Sequence, residues 1–593
     1  MPRPRVAFDM EVYINFTLCL FTDVETGVTR MFEHPFNIPV LRQIVRESTL
    51  ITFNGIGYDL PLLLYVINGA TPAQVKEASN RIIVDGLKYW HFEREFNVDC
   101  SDRNIDHIDL MEVAPLTGSL KLYAGKLHSR SIQDLPIAHD ALVTEDQQQI
   151  LRDYCQNDVQ STIDLYHALK GQIALREEMT MQYGIDLRSK SDAQIAEAVI
   201  KAEVEKRTKR KIEKPGPQCG VKFKYIIPSW MADCTLPEFQ KTLVLVTQSE
   251  FMVSNKGSVV LPEVLTKLRI RIGDGIYRMG IGGLHSSETV RALTAQKTTR
   301  LMDFDVASYY PSIILTQGLY PKHIGQEFLH VYQSIVDQRL AAKKAGNKVA
   351  NESKKVTING AFGKLGSQWS ILYAPDLMIQ VTITGQLVLL MLIEMLEAIP
   401  GVHVVSANTD GVTVHCAASY ESEVLDVTET WELISGFTLE RADYAALYSR
   451  DVNNYLAVKT NGEVKAKGAY GTGLPLHKNP QHEICSRAVV DYLTLDASID
   501  GTVRACTDIR AFISVRKVQG GATFQGHDLG KVVRWYYAVD TQEHFAYKLN
   551  GYKVPQTDGA KPLVVLPQSL PEDLDYEWYI NEARGMLAEL GVL

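Results

Sequence analysis

The chain predicts a multidomain protein of mixed class, α/β in its first third and α+β beyond. Three observations carry that expectation. At 593 residues it exceeds what one hydrophobic core can serve, so roughly two to four domains are expected. Strand-like and helical patterns alternate up to about residue 190, as when crossover helices cover a sheet. From Asp274 to about Gly318, strands instead follow one another through Gly-rich turns, and helices come after them.

Strand signals begin at Val6–Met10 and Thr49–Phe53. A helix is expected from about Glu145 to Leu169, with Thr144 as N-cap and Glu145 in its first turn. Ser191 to Lys211, rich in Ala, Glu and Lys, reads as another, and Pro215-Gly216-Pro217 breaks the pattern and marks a boundary. Residues 323–364 read as two helices joined at Ala345-Gly346-Asn347, and Pro375 to Ile399 as a third. A hairpin over 402–415 and further strands to about Tyr470 come next, and the tail beyond Leu474 is mixed. The expected segments are 1–190, a connection 191–270, a β-rich body in two parts (271–322 and 366–473) interrupted by helices 323–365, and a C-terminal domain 474–593.

Hydrophobic content of 46% and charged content of 22% describe an ordinary globular protein. A net charge of -9 argues against a uniformly basic nucleic-acid binder but leaves room for local basic fields. Arg207-Thr208-Lys209-Arg210-Lys211 and Arg339 to Lys344 are two such clusters, each equally readable as a solvated helix face. The cysteines, Cys19, Cys100, Cys155, Cys219, Cys234, Cys416, Cys485 and Cys506, form no CxxC pair, which disfavours zinc and suits a reducing compartment. The N-terminus runs into a strand rather than a signal region, and Leu387–Leu396 is too short to span a bilayer. A cytoplasmic location is expected (the host cytoplasm for a viral protein), with no membrane partner.

Chemistry concentrates in three stretches. Asp305 ends the strand-like run Thr299–Phe304, and Asp410 lies at a turn between Val402–Val405 and Val412–Val414. An isolated Asn-Thr-Asp-Gly is a common turn, so its weight comes from its order after the other two stretches. Carboxylates brought together there would need neutralising cations, and two Mg²⁺ ions about 3.5–4 Å apart would serve, with Mn²⁺ as the alternative. Lys355 and Asn359 share a helix face, Phe362 lies one turn on, and Arg339 and Lys343 are likewise i and i+4. Arg339 suits bidentate phosphate contact and Lys343 acts as a compact charge. Near the N-terminus, Asp9 and Glu11 share a strand face, and Asp59 opens a helix after Asn54-Gly55-Ile56-Gly57-Tyr58. Tyr154 and Asp158 face one way from a helix. Four acids and a phenol suit two-metal hydrolysis of a phosphodiester, with Tyr154 orienting water.

These residues carry a resemblance. Asp305-Val306-Ala307-Ser308-Tyr309-Tyr310-Pro311-Ser312-Ile313, Lys355 to Gly363 and Ser406 to Asp410 resemble motifs A, B and C of the family B DNA polymerases (DxxSLYPSI, KxxxNSxYG, YxDTDS). The resemblance implies metal ligands Asp305, Val306 and Asp410, and nucleotide contacts from Ser308, Lys355 and Asn359; Arg339 and Lys343, paired by helix spacing, would aim their cations at the same polyphosphate. It makes Tyr310 the steric gate against ribose, with Phe362 beside the nascent base pair. Gly360 stands for Ser, Phe362 for Tyr, Ser406 for the motif C tyrosine and Asn408 for its first acid. That acid is the more dispensable one in the family; Asn408 can accept a hydrogen bond from metal-bound water, so altered metal preference is expected. Gly282-Gly283 resembles the family's turn at the template strand. Asn453-Asn454-Tyr455, with Lys465-Ala466-Lys467-Gly468 behind it, stands where the family has a primer-contacting KxY, giving Tyr455 and Lys467 as DNA contacts. Lys531 to Tyr537, with Arg534, reads either as a duplex-holding thumb strand or as an ordinary strand.

In order, DxE, NxxxxD and YxxxD resemble the Exo I, II and III motifs of the RNase H-like 3′–5′ exonucleases attached to these polymerases. Asn54 and Ser119-Leu120 then correspond to contacts with a frayed single strand. The implied architecture is an RNase H-like exonuclease (1–190) followed by a right-hand polymerase of palm, fingers (323–365) and thumb (474–593). Its expected partners are primer–template DNA, single-stranded DNA and dNTPs, with accessory proteins not identifiable. Only 50 positions separate Asp305 from Lys355, which favours a nucleic-acid primer over a terminal protein and looks most like compact bacteriophage enzymes. The rival readings are a polymerase-derived DNA-binding or scaffolding protein, for which Asn408 is the one supporting feature, and an exonuclease with an impaired synthetic half that only grips substrate.

Overall fold

Hydrophobic alternation along the first strand decides how the N-terminal region is built. The computed structural model describes residues 3–98, 105–132, 134–135, 137–473 and 475–593, so Cys100 and Leu474 lie outside the described residues. Strands β1 (Arg5–Val12), β2 (Thr17–Asp23), β3 (Thr29–Glu33), β4 (Thr49–Thr52) and β5 (Asp106–Asp109) form a mixed sheet in the order β3-β2-β1-β4-β5. Val6, Phe8 and Met10 point into one apolar cluster and Ala7 into another, so a core lies on each face. Asp9 and Glu11 therefore share the Ala7 face, which the helix Glu145–Ala168 covers through Leu151, Cys155 and Val159. That helix begins where expected: the Gln147 side chain accepts the Thr144 backbone N–H at 3.0 Å.

The chain divides into two compact units. The first comprises Met1–Ser191, Gly473–Ile484 and Arg504–Tyr579, and the second Asp192–Thr472, Cys485–Val503 and Ile580–Leu593. Two expected boundaries change accordingly. The helix Asp192–Thr208, assigned above to a connection, belongs to the second unit and packs along Lys348–Leu365. Residues 474–593, expected as one domain, are shared between the units.

Within the first unit, the antiparallel ribbon Ser514–Phe524 and His527–Tyr537 packs on the helix Leu120–Lys126. Gly125 permits this approach, since a Cβ there would meet Val515 Cγ1 at 2.8 Å. Arg534, expected as a DNA contact, lies inside the protein instead. It is 1% exposed, and its guanidinium donates to the carbonyls of Ser129 (2.6 Å), Leu563 (3.0 Å), Val564 (3.0 Å) and Arg130 (3.3 Å). It staples backbone and is not available to DNA.

The second unit is built on a ten-stranded sheet with the strand Thr299–Val306 near its middle. That strand pairs antiparallel with Gly411–Ala417 on one side and Leu439–Asp451 on the other. Behind the sheet lies the helix Pro375–Glu397, buried almost throughout, with Trp431 Nε1 donating to the Val388 carbonyl at 2.9 Å. It is the one helix among the described residues long and apolar enough to cross a membrane, but 78% of its apolar window is buried inside the protein. Helices Glu327–Lys344 and Lys348–Leu365 meet at Ala345–Asn347, where the Asn347 side chain caps the second by accepting from Ala350 N–H at 3.0 Å. Gly360 has a packing reason: a Cβ there would lie 2.8 Å from Ala196 Cβ on the helix Asp192–Thr208.

Removing the buried guanidinium takes the donor from the Ser129 and Leu563 carbonyls and one of two donors from those of Arg130 and Val564, so Arg534→Ala should lower the stability of the first unit by about 3–5 kcal/mol in urea unfolding. An unchanged unfolding midpoint would reject this structural role.

Candidate functional site

In the second unit, the strand end and the hairpin tip meet by hydrogen bonding. The hairpin Val402–Asn408 and Gly411–Ala417 turns at Thr409-Asp410, with Thr409 at φ 59°. Asp305 lies opposite Gly411, and the Val306 N–H donates to the Asp410 carbonyl at 2.7 Å. Both carboxylates face a cleft of about 360 Å³, lined also by Asp303, Asn408, Tyr455, Lys465 and Lys467. Desolvation in the cleft, reinforced by Asp303, pushes the Asp305 carboxyl up to about 6, while Lys465 opposes the shift. Asp410 is raised in the same way.

The other expected residues cluster around this pair. After Asp305 the chain turns through Ser308, at a left-handed φ of 49°, into the helix Tyr309–Thr316. Arg339 donates to Ser308 Oγ at 2.8 Å, and Lys343 pairs at 3.0 Å with Glu440, the register partner of Asp305. One helix thus aims two cations beside the acid. The Lys343 pair is exposed, so little free energy holds it closed against another anion. Tyr310 packs on Phe362 with ring centroids 4.3 Å apart, and its hydroxyl donates to the Gly282 carbonyl. Gly283 is forced by contact: a Cβ would lie 3.0 Å from the Thr409 backbone. Lys355 and Asn359 are exposed on the same helix, with Lys355 Nζ 3.4 Å from Glu352.

Asn408 is committed on both of its side-chain atoms. Its Nδ2 donates to the Val452 carbonyl at 3.3 Å and its Oδ1 accepts from the Thr409 hydroxyl at 3.0 Å. The amide ties the turn to the neighbouring hairpin, a role a carboxylate could not fill. Lys465 escaped the sequence reading as a site residue. Its Nζ lies 3.2 Å from Asp303 and 3.6 Å from Asp305, while Lys467 stays exposed at the rim.

The first unit holds the second cluster. Asp9 and Glu11 project from β1, Asp59 opens the helix Asp59–Ile67, and Tyr154 and Asp158 come from the covering helix. Asp9, Glu11 and Cys155 place ligand-type atoms within 4.8 Å of one another, a group able to hold a metal ion. Burial, with repulsion from Asp158 and Asp59, pushes Glu11 up to about 8; burial, with repulsion from Asp109, pushes Asp59 up to about 8; Asp9 and Asp158 are raised as well. Cys155 is a buried thiol with its pKa pushed well up, and it donates to Asp9 Oδ2 at 3.6 Å.

Two supporting residues were not foreseen. Asp109 accepts the backbone N–H groups of Asn54 (2.8 Å) and Ile56 (3.1 Å), which fixes the loop before Asp59 with Asn54 at φ 65°. Lys121 lies 4.8 Å over the Tyr154 ring, pairs with Asp134 at 2.7 Å, and lowers Glu11 and Asp158 electrostatically. Ser119 caps the Lys121 helix by accepting from Leu122 N–H at 3.3 Å. No protein-family model matches the chain, and no curated protein matches it.

Two outcomes follow from this geometry. Carboxyls with raised pKa hold protons that the unfolded chain releases, so in EDTA the first unit should lose stability as pH rises from the ordinary carboxylate range through about 8. Mg²⁺ should restore several degrees of melting temperature at the alkaline end, and Asp9→Asn with Glu11→Gln should erase that metal-dependent gap. In the second unit, Asn408→Asp should cost about 1–2 kcal/mol in urea unfolding through the lost Val452 bond. A neutral or stabilising result would reject the tie.

Proposed function

We propose that the chain is a template-directed DNA polymerase with an associated 3′–5′ exonuclease. The observation that carries this reading is the convergence of Asp305 and Asp410, from a strand end and a hairpin tip, on one cleft rimmed by Lys467 and Tyr455. The likeness of the surrounding stretches to motifs A, B and C of the family B polymerases supports the same reading. The donor set is oxygen-only in this cleft, which fits a hard divalent cation. In the first unit Lys121 is, among the described residues, the cation that lowers Glu11 and Asp158, and a metal ion would relieve the four raised carboxyls further. The Cys155 thiol stays protonated there and does not alter that fit.

Asp305, Asp410 and the backbone at Val306 would hold Mg²⁺ in the cleft, and Asp9, Glu11, Asp59 and Asp158 would hold it in the first unit. Bound there, the ions would activate the attacking oxygen and stabilise the departing one. The remaining work falls to the chain. Arg339, Lys343, Lys355 and Asn359 grip the triphosphate, and Tyr310, braced by Phe362 and the Gly282 carbonyl, packs where a 2′-hydroxyl would stand. Tyr455 and Lys467 meet the primer. In the editing site Tyr154 orients water, and Asn54 and Ser119 receive the melted 3′ end, which a mismatch supplies more often.

The test is one mismatched primer–template with Mg²⁺ and dNTPs. Asp410→Ala should reduce extension by more than a hundredfold while leaving degradation intact. Asp9→Ala with Glu11→Ala should do the reverse. Extension within about tenfold of wild type in Asp410→Ala would remove the metal assignment. Degradation without any extension by the wild-type chain would instead favour an exonuclease with an impaired synthetic half.

A further inference from the structure

Asp303 has no role in the reading above, yet it is the most elaborately satisfied acid in the cleft. It lies two residues before Asp305 on the same strand face and is 7% exposed. Thr413 Oγ1 donates to its Oδ1 at 2.7 Å, the Tyr444 hydroxyl donates to Oδ2, and Lys465 Nζ lies 3.2 Å from Oδ2. Lys465 also donates to the Tyr444 oxygen at 3.3 Å and reaches Asp305 Oδ2 at 3.6 Å. A carboxylate bound on both oxygens by three side chains is not free to hold a metal. What it holds is an ammonium, against the acid that would.

We propose that Asp303 and Lys465 are a built-in charge pair that sets the cation affinity of the Asp305/Asp410 cleft. Lys465 lowers that affinity and Asp303 restores it. The inference rests on the reading that this cleft takes divalent cations. With both present, three carboxylates and one ammonium carry the same net charge as Asp305 and Asp410 alone, so the pair is neutral in sum. Its members act with opposite sign, and one unit charge a few ångströms from a ligand oxygen in a half-buried cleft changes cation binding by about tenfold or more. The pair also fixes Asp305: one carboxylate oxygen faces Lys465, while the other lies against Gly411, where a Cβ would fall 2.1 Å from Oδ1.

The experiment is Mn²⁺ binding to the full chain, read from the electron paramagnetic resonance signal of free Mn²⁺. An Asp9→Ala, Glu11→Ala background removes the other cluster, and an Asp410→Ala control identifies the cleft site. Lys465→Met should tighten Asp410-dependent binding by about tenfold, Asp303→Asn should weaken it by about tenfold, and the double variant should return near the parent. Weakening or no change in Lys465→Met overturns the proposal, because a merely structural lysine would give one of those results. If Asp303→Asn loses its folded circular dichroism, Lys465→Met alone decides by its sign. Absence of any Asp410-dependent Mn²⁺ site in the parent would sink the metal reading and this proposal together; a site with the wrong sign sinks only the proposal.

Discussion

The antiparallel ladder on both sides of Thr299–Val306 is the constraint on which the cleft depends. Acids that repel one another do not gather unaided, and here the backbone gathers them. Register opposes Asp305 to Gly411 and Glu440, and the Val306 N–H closes the hairpin tip onto the strand end. A slip of one residue on either side would turn Asp303 and Asp305 to the other face and dismantle the cleft. The sheet interior and the buried helix behind it hold that register, so the repulsion between Asp305 and Asp410 is absorbed by hydrogen bonds and packing elsewhere.

The two acidic clusters handle charge differently. In the first unit Asp9, Glu11, Asp59 and Asp158 are desolvated beside Lys121, so Glu11 and Asp59 hold their protons up to about 8 and Asp9 and Asp158 are raised too. In the second, Lys465 and Lys467 stand in the same cleft as Asp305 and Asp410, and the Asp305 carboxyl rises only to about 6. One cluster stores its charge problem as bound protons; the other offsets it with ammonium groups.

What was legible in the sequence was what is local. Period-two alternation gave Asp9 and Glu11 a common face, the Thr144 cap marked its helix, and Ala345–Asn347 marked the joint between two helices. Residues whose meaning depends on distant partners were misread or missed. Arg534 resembled a DNA contact in a stretch of cations and aromatics, but its acceptors at Ser129 and Arg130 lie some four hundred positions away. Lys465, Lys121 and Asp109 are defined by acids or amides in other elements, and no spacing rule connects them. Gly360 and Asn408 looked like lapses from a motif. Packing against Ala196 and the bond to Val452 give each a reason in this chain.

The discontinuity of the first unit bears on synthesis. The buried residues of its two-sided core around the five-stranded sheet have all emerged by residue 173, but Leu476, which packs against them, and the ribbon that carries Arg534 are translated only after most of the second unit. A nascent chain therefore exposes the carbonyls of Ser129 and Arg130, and the helix surface at Gly125, through most of its elongation. The first unit thus starts to fold before the second is made and finishes after most of it.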